Sequence, residues 1–208
     1  SRTISRGMIP SAHAAVLLIY LLALSLPAAA AVRVPSIFGS EMVFQRNQVA
    51  PVWGWAEPGE QVTVEFASQL VHTTADTDGS WKVALAPLET SFEGRTLTIR
   101  GDRSDQRLRF DNILVGEVWI LAGQSNMGWP VSKSLEGDVA QTRANYPWLR
   151  IFRQSPNEGA SDERAPDVKN GTWTICTPAT AATVSAVGFF FAESLHPHLS
   201  TPVALVHT

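Results

Sequence analysis

Ser125 follows a long apolar run, Val115-Gly116-Glu117-Val118-Trp119-Ile120-Leu121-Ala122, and is flanked by Gly123-Gln124 and Asn126-Met127. A serine hydroxyl attacks a carbonyl carbon only when a base takes its proton and N–H donors receive the charge that develops on oxygen. The chain offers the serine and its own backbone N–H for that chemistry. The apolar run supplies the position. A parallel strand buried on both faces reads as a nearly unbroken Val/Ile/Leu stretch, and open α/β sheets bind ligands beyond the carboxyl ends of their strands. The pattern therefore predicts Ser125 at the rim of a sheet.

The elements around that strand follow from periodicity. Val184, Val187, Gly188, Phe191, Ala192 and Leu195 fall at helical spacing, which predicts a helix over Thr183 to Leu195. Gly188 would let that helix approach the sheet closely, and His196-Pro197 would stop or bend it. Pro202-Val203-Ala204-Leu205-Val206 reads as the next buried strand. Strand, crossover with a helix, and strand make the unit of a parallel α/β sheet. Gln154 to Asn170 has no periodic apolar face and reads as a long loop, either overhanging the Ser125 rim or lying out in solvent.

Residues 34–111 carry a different signal. Val62, Val64 and Phe66 alternate, as do Trp81, Val83 and Leu85, Leu97 and Ile99, and Leu108 and Phe110. Asp78-Gly79 suits a type I′ turn between two such strands, and Pro58-Gly59, Glu93-Gly94 and Gly101-Asp102 mark further turns. This predicts an antiparallel β-sandwich over residues 32–112, ahead of an α/β region over residues 113–208. Trp53, Trp55 and Trp81 could present flat faces to sugar rings, but packing is the commoner use of tryptophan in so small a domain, and it is the reading adopted here.

The amino terminus reads as an export signal. Arg2 and Arg6 precede an apolar run from Ala14 to Leu26, then Pro27 and four alanines, with cleavage expected after Ala30 or Ala31. The apolar run is too short for a bilayer core, which takes roughly twenty residues. The expected product is secreted or periplasmic, with no stable membrane span. Composition narrows its partners: 45% hydrophobic and 17% charged residues suit a globular core, and a net charge of −3 argues against nucleic acid. The lone Cys176 has no intramolecular disulfide partner and reads as a small buried hydrophobe. Asn170-Gly171-Thr172 is a glycosylation sequon, of consequence only in a host that glycosylates this way.

Three blocks carry a family resemblance. Gly116-Glu117-Val118-Trp119 with Ala122-Gly123-Gln124-Ser125-Asn126-Met127 resembles the first signature block of the sialate O-acetylesterase family, a branch of the SGNH hydrolases. Upstream, Ile37-Phe38-Gly39-Ser40-Glu41-Met42-Val43-Phe44-Gln45-Arg46 and Pro51-Val52-Trp53-Gly54-Trp55-Ala56 match the same family. Downstream, so does Phe189-Phe190-Phe191-Ala192-Glu193. The resemblance implies that Ser125 is the nucleophile and that residues 113–208 are the first part of an SGNH-type three-layer α/β/α hydrolase domain. It implies no metal and no organic cofactor. Gln124, Asn126 and Met127 would shape the loop around the nucleophile, and Trp129 would either wall the acyl pocket or simply pack.

The family's Gly-Gly-Thr, Gln-Gly-Glu and Asp-x-x-His blocks do not occur in this sequence. The expectation is therefore an amino-terminal fragment, inactive alone, of a carbohydrate O-acetylesterase acting on sialic acid or another acetylated sugar such as xylan. Of the histidines, His207 alone falls on the rim expected for Ser125, and nothing near it in sequence orients its ring as a base. A different class of reading also stands: a non-catalytic carbohydrate-binding or interaction module in which the tryptophans matter and Ser125 is incidental.

Overall fold

The computed structural model describes residues 31–103, 105–154 and 170–207. Apart from their end residues, the expected export signal and the expected long loop lie outside the described residues. Ala31–Thr208 form one compact unit.

Seven strands come first: β1 (Val43–Gln45), β2 (Ala50–Trp55), β3 (Gln61–Phe66), β4 (Gln69–Thr74), β5 (Ser80–Leu85), β6 (Ser91–Gly101) and β7 (Arg107–Leu121). Their inward residues are the ones whose alternation is visible in sequence. Val62, Val64, Phe66, Leu85, Leu97 and Ile99 are all buried, and each is worth about 1.5–3 kcal/mol of apolar burial. β2 and β5 form a two-stranded antiparallel ribbon whose inner side chains, Val52, Trp81 and Val83 among them, share one core with β3 and β6.

Two of the expected turns take another form. Gly79 has φ +81°, but Asp78 does not have positive φ, so the turn is not type I′. It is closed by the Gly79 N–H donating to the Asp76 carbonyl at 2.9 Å. The reason is topological: β4 pairs with β3 and β5 with β2, so the turn joins two sheets and is free of the hairpin twist that favours type I′. Glu93-Gly94 is not a turn either. It lies inside β6, where the register against β7 shifts, and a Cβ on Gly94 would fall 2.2 Å from the Asn112 side-chain oxygen.

β7 is the hinge of the architecture. Its first part runs antiparallel to β6, Leu114–Gly116 run parallel to β1, and Glu117–Leu121 run parallel to β10 (Val203–His207). β8 (Tyr146–Gln154) flanks β10 in parallel, and β9 (Gly171–Cys176) closes that side antiparallel to β8. The sheet order is β4-β3-β6-β7-β10-β8-β9, so the boundary expected between residues 112 and 113 falls inside one continuous strand. β7 and β10 are adjacent and parallel, as the strand, helix, strand pattern implies. On this side of the eight-stranded sheet lie four strands, β7, β10, β8 and β9, rather than the two visible in sequence.

Alternate residues of these parallel strands feed opposite cores. Val203, Leu205, Leu149 and Ile151 pack with the helices, while Ala204 and Phe152 join the core of the β-rich part. Trp119 and Ile120 depart from the expected two-sided burial, being 40% and 70% exposed. Among the described residues, the end of β7 has run past β6 and β1 and keeps only β10 beside it.

Gly116 marks the crossing point. Its carbonyl accepts from the Arg46 N–H at 2.8 Å, and a Cβ there would lie 2.0 Å from the Pro202 carbonyl oxygen. That neighbour is backbone and cannot rotate away. Gly116→Ala is expected to destabilise the fold by about 2–3 kcal/mol, read as a lower midpoint in urea unfolding. An unchanged midpoint would show that the strands part without cost.

The helices are α1 (Gly137–Arg143), α2 (Pro178–Ala181) and α3 (Ala186–Leu199). Ser185 caps α3, its hydroxyl accepting from the Gly188 N–H at 3.2 Å. Gly188 sits against Leu121 and Leu205, the close approach anticipated for it. Pro197 does not stop α3, which runs on to Leu199 and ends at Ser200 in the left-handed region. In the last turn proline forfeits one helical hydrogen bond, and the Ser200 N–H still reaches the His196 carbonyl at 2.9 Å.

Candidate active site

Ser125 is exposed in a turn four residues beyond the end of β7, at the carboxyl edge of the parallel strands. The turn is built by backbone. The Gln124 carbonyl accepts from the Met127 N–H at 2.9 Å and the Gly128 N–H at 3.3 Å, and the Trp129 N–H reaches the Asn126 carbonyl at 3.4 Å. Those bonds leave the N–H groups of Ser125 and Asn126 without a protein acceptor among the described residues. They are free to receive a developing oxyanion.

The loop is pinned to the start of α3. The Ala186 N–H donates to the Trp129 carbonyl at 2.7 Å, the Val131 N–H donates to the Val184 carbonyl at 2.9 Å, and Pro130 bridges Ser185. Met127 packs on the helix-side core with its sulfur 3.8 Å from the Ser185 hydroxyl. Gly123 lies under it, where a Cβ would come within 2.9 Å of Met127 Cβ. Gln124 and Asn126 are exposed beside Ser125. Trp129 is half exposed, and its indole N–H donates to the Lys133 carbonyl at 3.0 Å. The role of Ser185 as the anchor of this loop was not read from sequence; the signal for it was a serine immediately ahead of a helical apolar pattern.

The histidines separate by position. His72 lies on β4 beside the Thr63 hydroxyl, and His196 stacks on Trp148 with ring centroids 3.6 Å apart at the far end of α3. His207 ends β10, in register with Leu121 and Arg153, on the same rim as the Ser125 turn. Burial first, and then the nearby Arg153 guanidinium, hold its pKa below the ordinary histidine value. Neutral His207 is therefore favoured by folding. Its stabilisation is fully present above the unfolded pKa of about 6.5 and is lost as pH falls through the lower folded value. Melting temperatures compared at about pH 7.5 and pH 5.5 are expected to fall less for His207→Gln than for the parent; an equal fall would remove His207 from the acid-labile groups.

Cys176 is fully buried, and desolvation, aided by the charge on Glu193, pushes its thiol up to about 12. It is not a nucleophile. No cluster of three or more His, Cys, Asp or Glu side chains that could hold a metal occurs among the described residues. No described helix is long and apolar enough to cross a membrane.

No protein-family model matches the chain. The sialate O-acetylesterase of Mus musculus is 29% identical over 192 residues, which is 84% of this chain and 35% of that protein. The sialate O-acetylesterase of Homo sapiens is 25% identical over 189 residues, 84% of this chain and 36% of that one. The crystal structure of a carbohydrate acetylesterase from Xanthomonas citri superposes with a TM-score of 0.79 at 34% identity, covering 85% of this chain and 40% of that protein. The mixed sheet and its flanking helix are thus similar in fold to a carbohydrate acetylesterase. In sequence the chain is similar to the sialate O-acetylesterases. It spans a little over a third of the length of these curated relatives.

Proposed function

We propose that this chain carries the nucleophile of an exported serine esterase that removes acetyl groups from sugars. The observation that supports this most directly is an exposed serine in a backbone-closed turn at the carboxyl edge of parallel strands, beside two N–H groups without acceptors. Ser125 Oγ attacks the acetyl carbonyl as a base takes its proton, the Ser125 and Asn126 N–H groups hold the oxyanion, and the sugar hydroxyl leaves with a proton. Water then attacks the acetyl-enzyme and releases acetate. No metal is needed for these steps.

The base is the incomplete part. His207 reaches the right rim, but among the described residues no carboxylate bonds its ring, and a triad needs one to fix tautomer and orientation. The reading therefore assigns the base and its carboxylate to additional polypeptide of a longer esterase and expects these residues alone to be inactive. The sugar is set by groups outside the Ser125 turn. Sialic acid follows the family's name, and acetylated xylan is the alternative to test beside it. The experiment is acetate release from acetylated sialic acid and from acetylated xylan, by this chain and by a longer protein containing it. Release by the longer protein alone supports the whole reading, and release by neither removes it.

A further inference from the structure

A cavity lined by tryptophans and polar side chains lies on the β2-β5 ribbon, away from Ser125 in sequence. We propose that it binds a neutral oligosaccharide, independently of the reading of Ser125. Its volume is about 610 Å³, within the range of about 300–1,000 Å³ usual for small-ligand sites. Pairing fixes its composition. Trp53 and Trp55 alternate with the buried Val52 and Gly54 and are both half-buried, opposite Lys82 and Ser80 of β5, with Trp53 packing in part against the core. Two residues along a strand set their Cα atoms about 6.6 Å apart, so the two side chains leave the same face of β2 as neighbours.

Both indoles are held in advance. The edge of Phe38 meets Trp53 at 4.8 Å between centroids, and the Arg33 guanidinium lies 4.0 Å from the centre of the Trp55 ring. Pre-ordered aromatic surface binds without the entropy cost of fixing side chains. Ring faces carry negative potential, which suits the C–H face of a pyranose. Around the two indoles, Asp76, Asp78, Ser80 and Lys82 supply acceptors and donors for sugar hydroxyls. Asp78 is held by the Ser80 N–H at 2.9 Å and the Ser80 hydroxyl at 2.7 Å.

The cavity also borders the core. Trp81 lines it while only 3% exposed, and its indole N–H has no partner among the described residues. Asp76 and Asp78 are balanced by Lys82 and by Arg33 on the Trp55 ring, so the site has no net charge to attract an ionic chain, which is why the proposed sugar is neutral.

The test is tryptophan-fluorescence titration of the chain with xylohexaose, cellohexaose and mannohexaose, with a sialylated oligosaccharide as the anionic control. At least one neutral hexasaccharide is expected to bind saturably, and the anionic one to bind at least tenfold more weakly. Trp53→Ala and Trp55→Ala should each weaken binding about tenfold or more. Lys82→Ala, whose side chain is exposed and removable without unfolding, should also weaken it with an unchanged melting temperature. Ser125→Ala should leave it intact. The proposal is overturned if no neutral hexasaccharide saturates at millimolar concentration, if the sialylated sugar binds as well, or if Lys82→Ala binds as tightly as the parent.

Discussion

Ser125→Ala is expected to lower acetate release about a millionfold in any active esterase built on this sequence, the scale on which removing a triad serine acts in subtilisin. On the barrier this corresponds to about 8 kcal/mol, far more than a spectator side chain supplies. The substitution should be nearly silent in stability. Ser125 is exposed, its turn is closed by main-chain bonds from the Gln124 carbonyl, and its hydroxyl bonds no described residue. Surface changes of that kind stay within about 0.5 kcal/mol. Initial rates and melting temperatures of the two proteins together decide the matter. Retained turnover at an unchanged melting temperature would take the nucleophile's role away from Ser125.

Glu41→Gln is expected to cost about 3 kcal/mol of stability, the lower end of the cost of stripping one partner from a buried ion pair, because Arg150 is buried while the Glu41 side chain is 30% exposed. The Arg150 side chain is only 3% exposed, and its guanidinium donates to the Glu41 carboxylate. It also reaches the carbonyls of Pro147, Glu41 and Asn112, at 3.0, 3.3 and 3.3 Å. Those carbonyls satisfy its N–H groups without cancelling its charge. Burial accordingly presses the Arg150 pKa downward, and Glu41 opposes that shift. The same carboxylate accepts from the Asn112 side chain at 2.6 Å, so the substitution also loosens β7 at its register shift against β6. Urea unfolding measures the loss. A change below about 1 kcal/mol would mean that the pair is solvated and that Arg150 does not need it.

Several residues that carried the family resemblance prove to be structural. Glu41 neutralises Arg150. Gln45 accepts from the Val118 N–H at 2.9 Å, and Gln45 and Arg46 donate to Glu117 at 3.0 and 2.6 Å, riveting β1 to β7. These bonds outweigh burial and lower the Glu117 pKa. Glu193 receives both Arg143 nitrogens, at 2.9 and 2.8 Å, and the Tyr146 hydroxyl, joining α3 to α1 and β8. The Ser125 turn, by contrast, faces outward with two backbone donors unused.

Sequence alone determined what depends on local period and local chemistry. Alternation at Val62, Val64 and Phe66 marks strands because side chains in extended backbone point to opposite faces, and the spacing of Val184, Gly188 and Ala192 marks α3 for the corresponding helical reason. A serine just past an apolar strand is a rim serine by the same logic. Tertiary structure decided what depends on partners distant in the chain. β8 and β9 escaped notice because Tyr146–Gln154 mixes Arg150 and Arg153 with apolar residues, and a buried arginine reads as surface until Glu41, 109 residues away, comes to meet it. Sequence likewise treated Trp53, Trp55 and Trp81 alike. Only the pairing of β2 with β5 turned Trp81 into the core and stood the other two beside a cavity, because which face of a strand is inward is set by the sheet it joins.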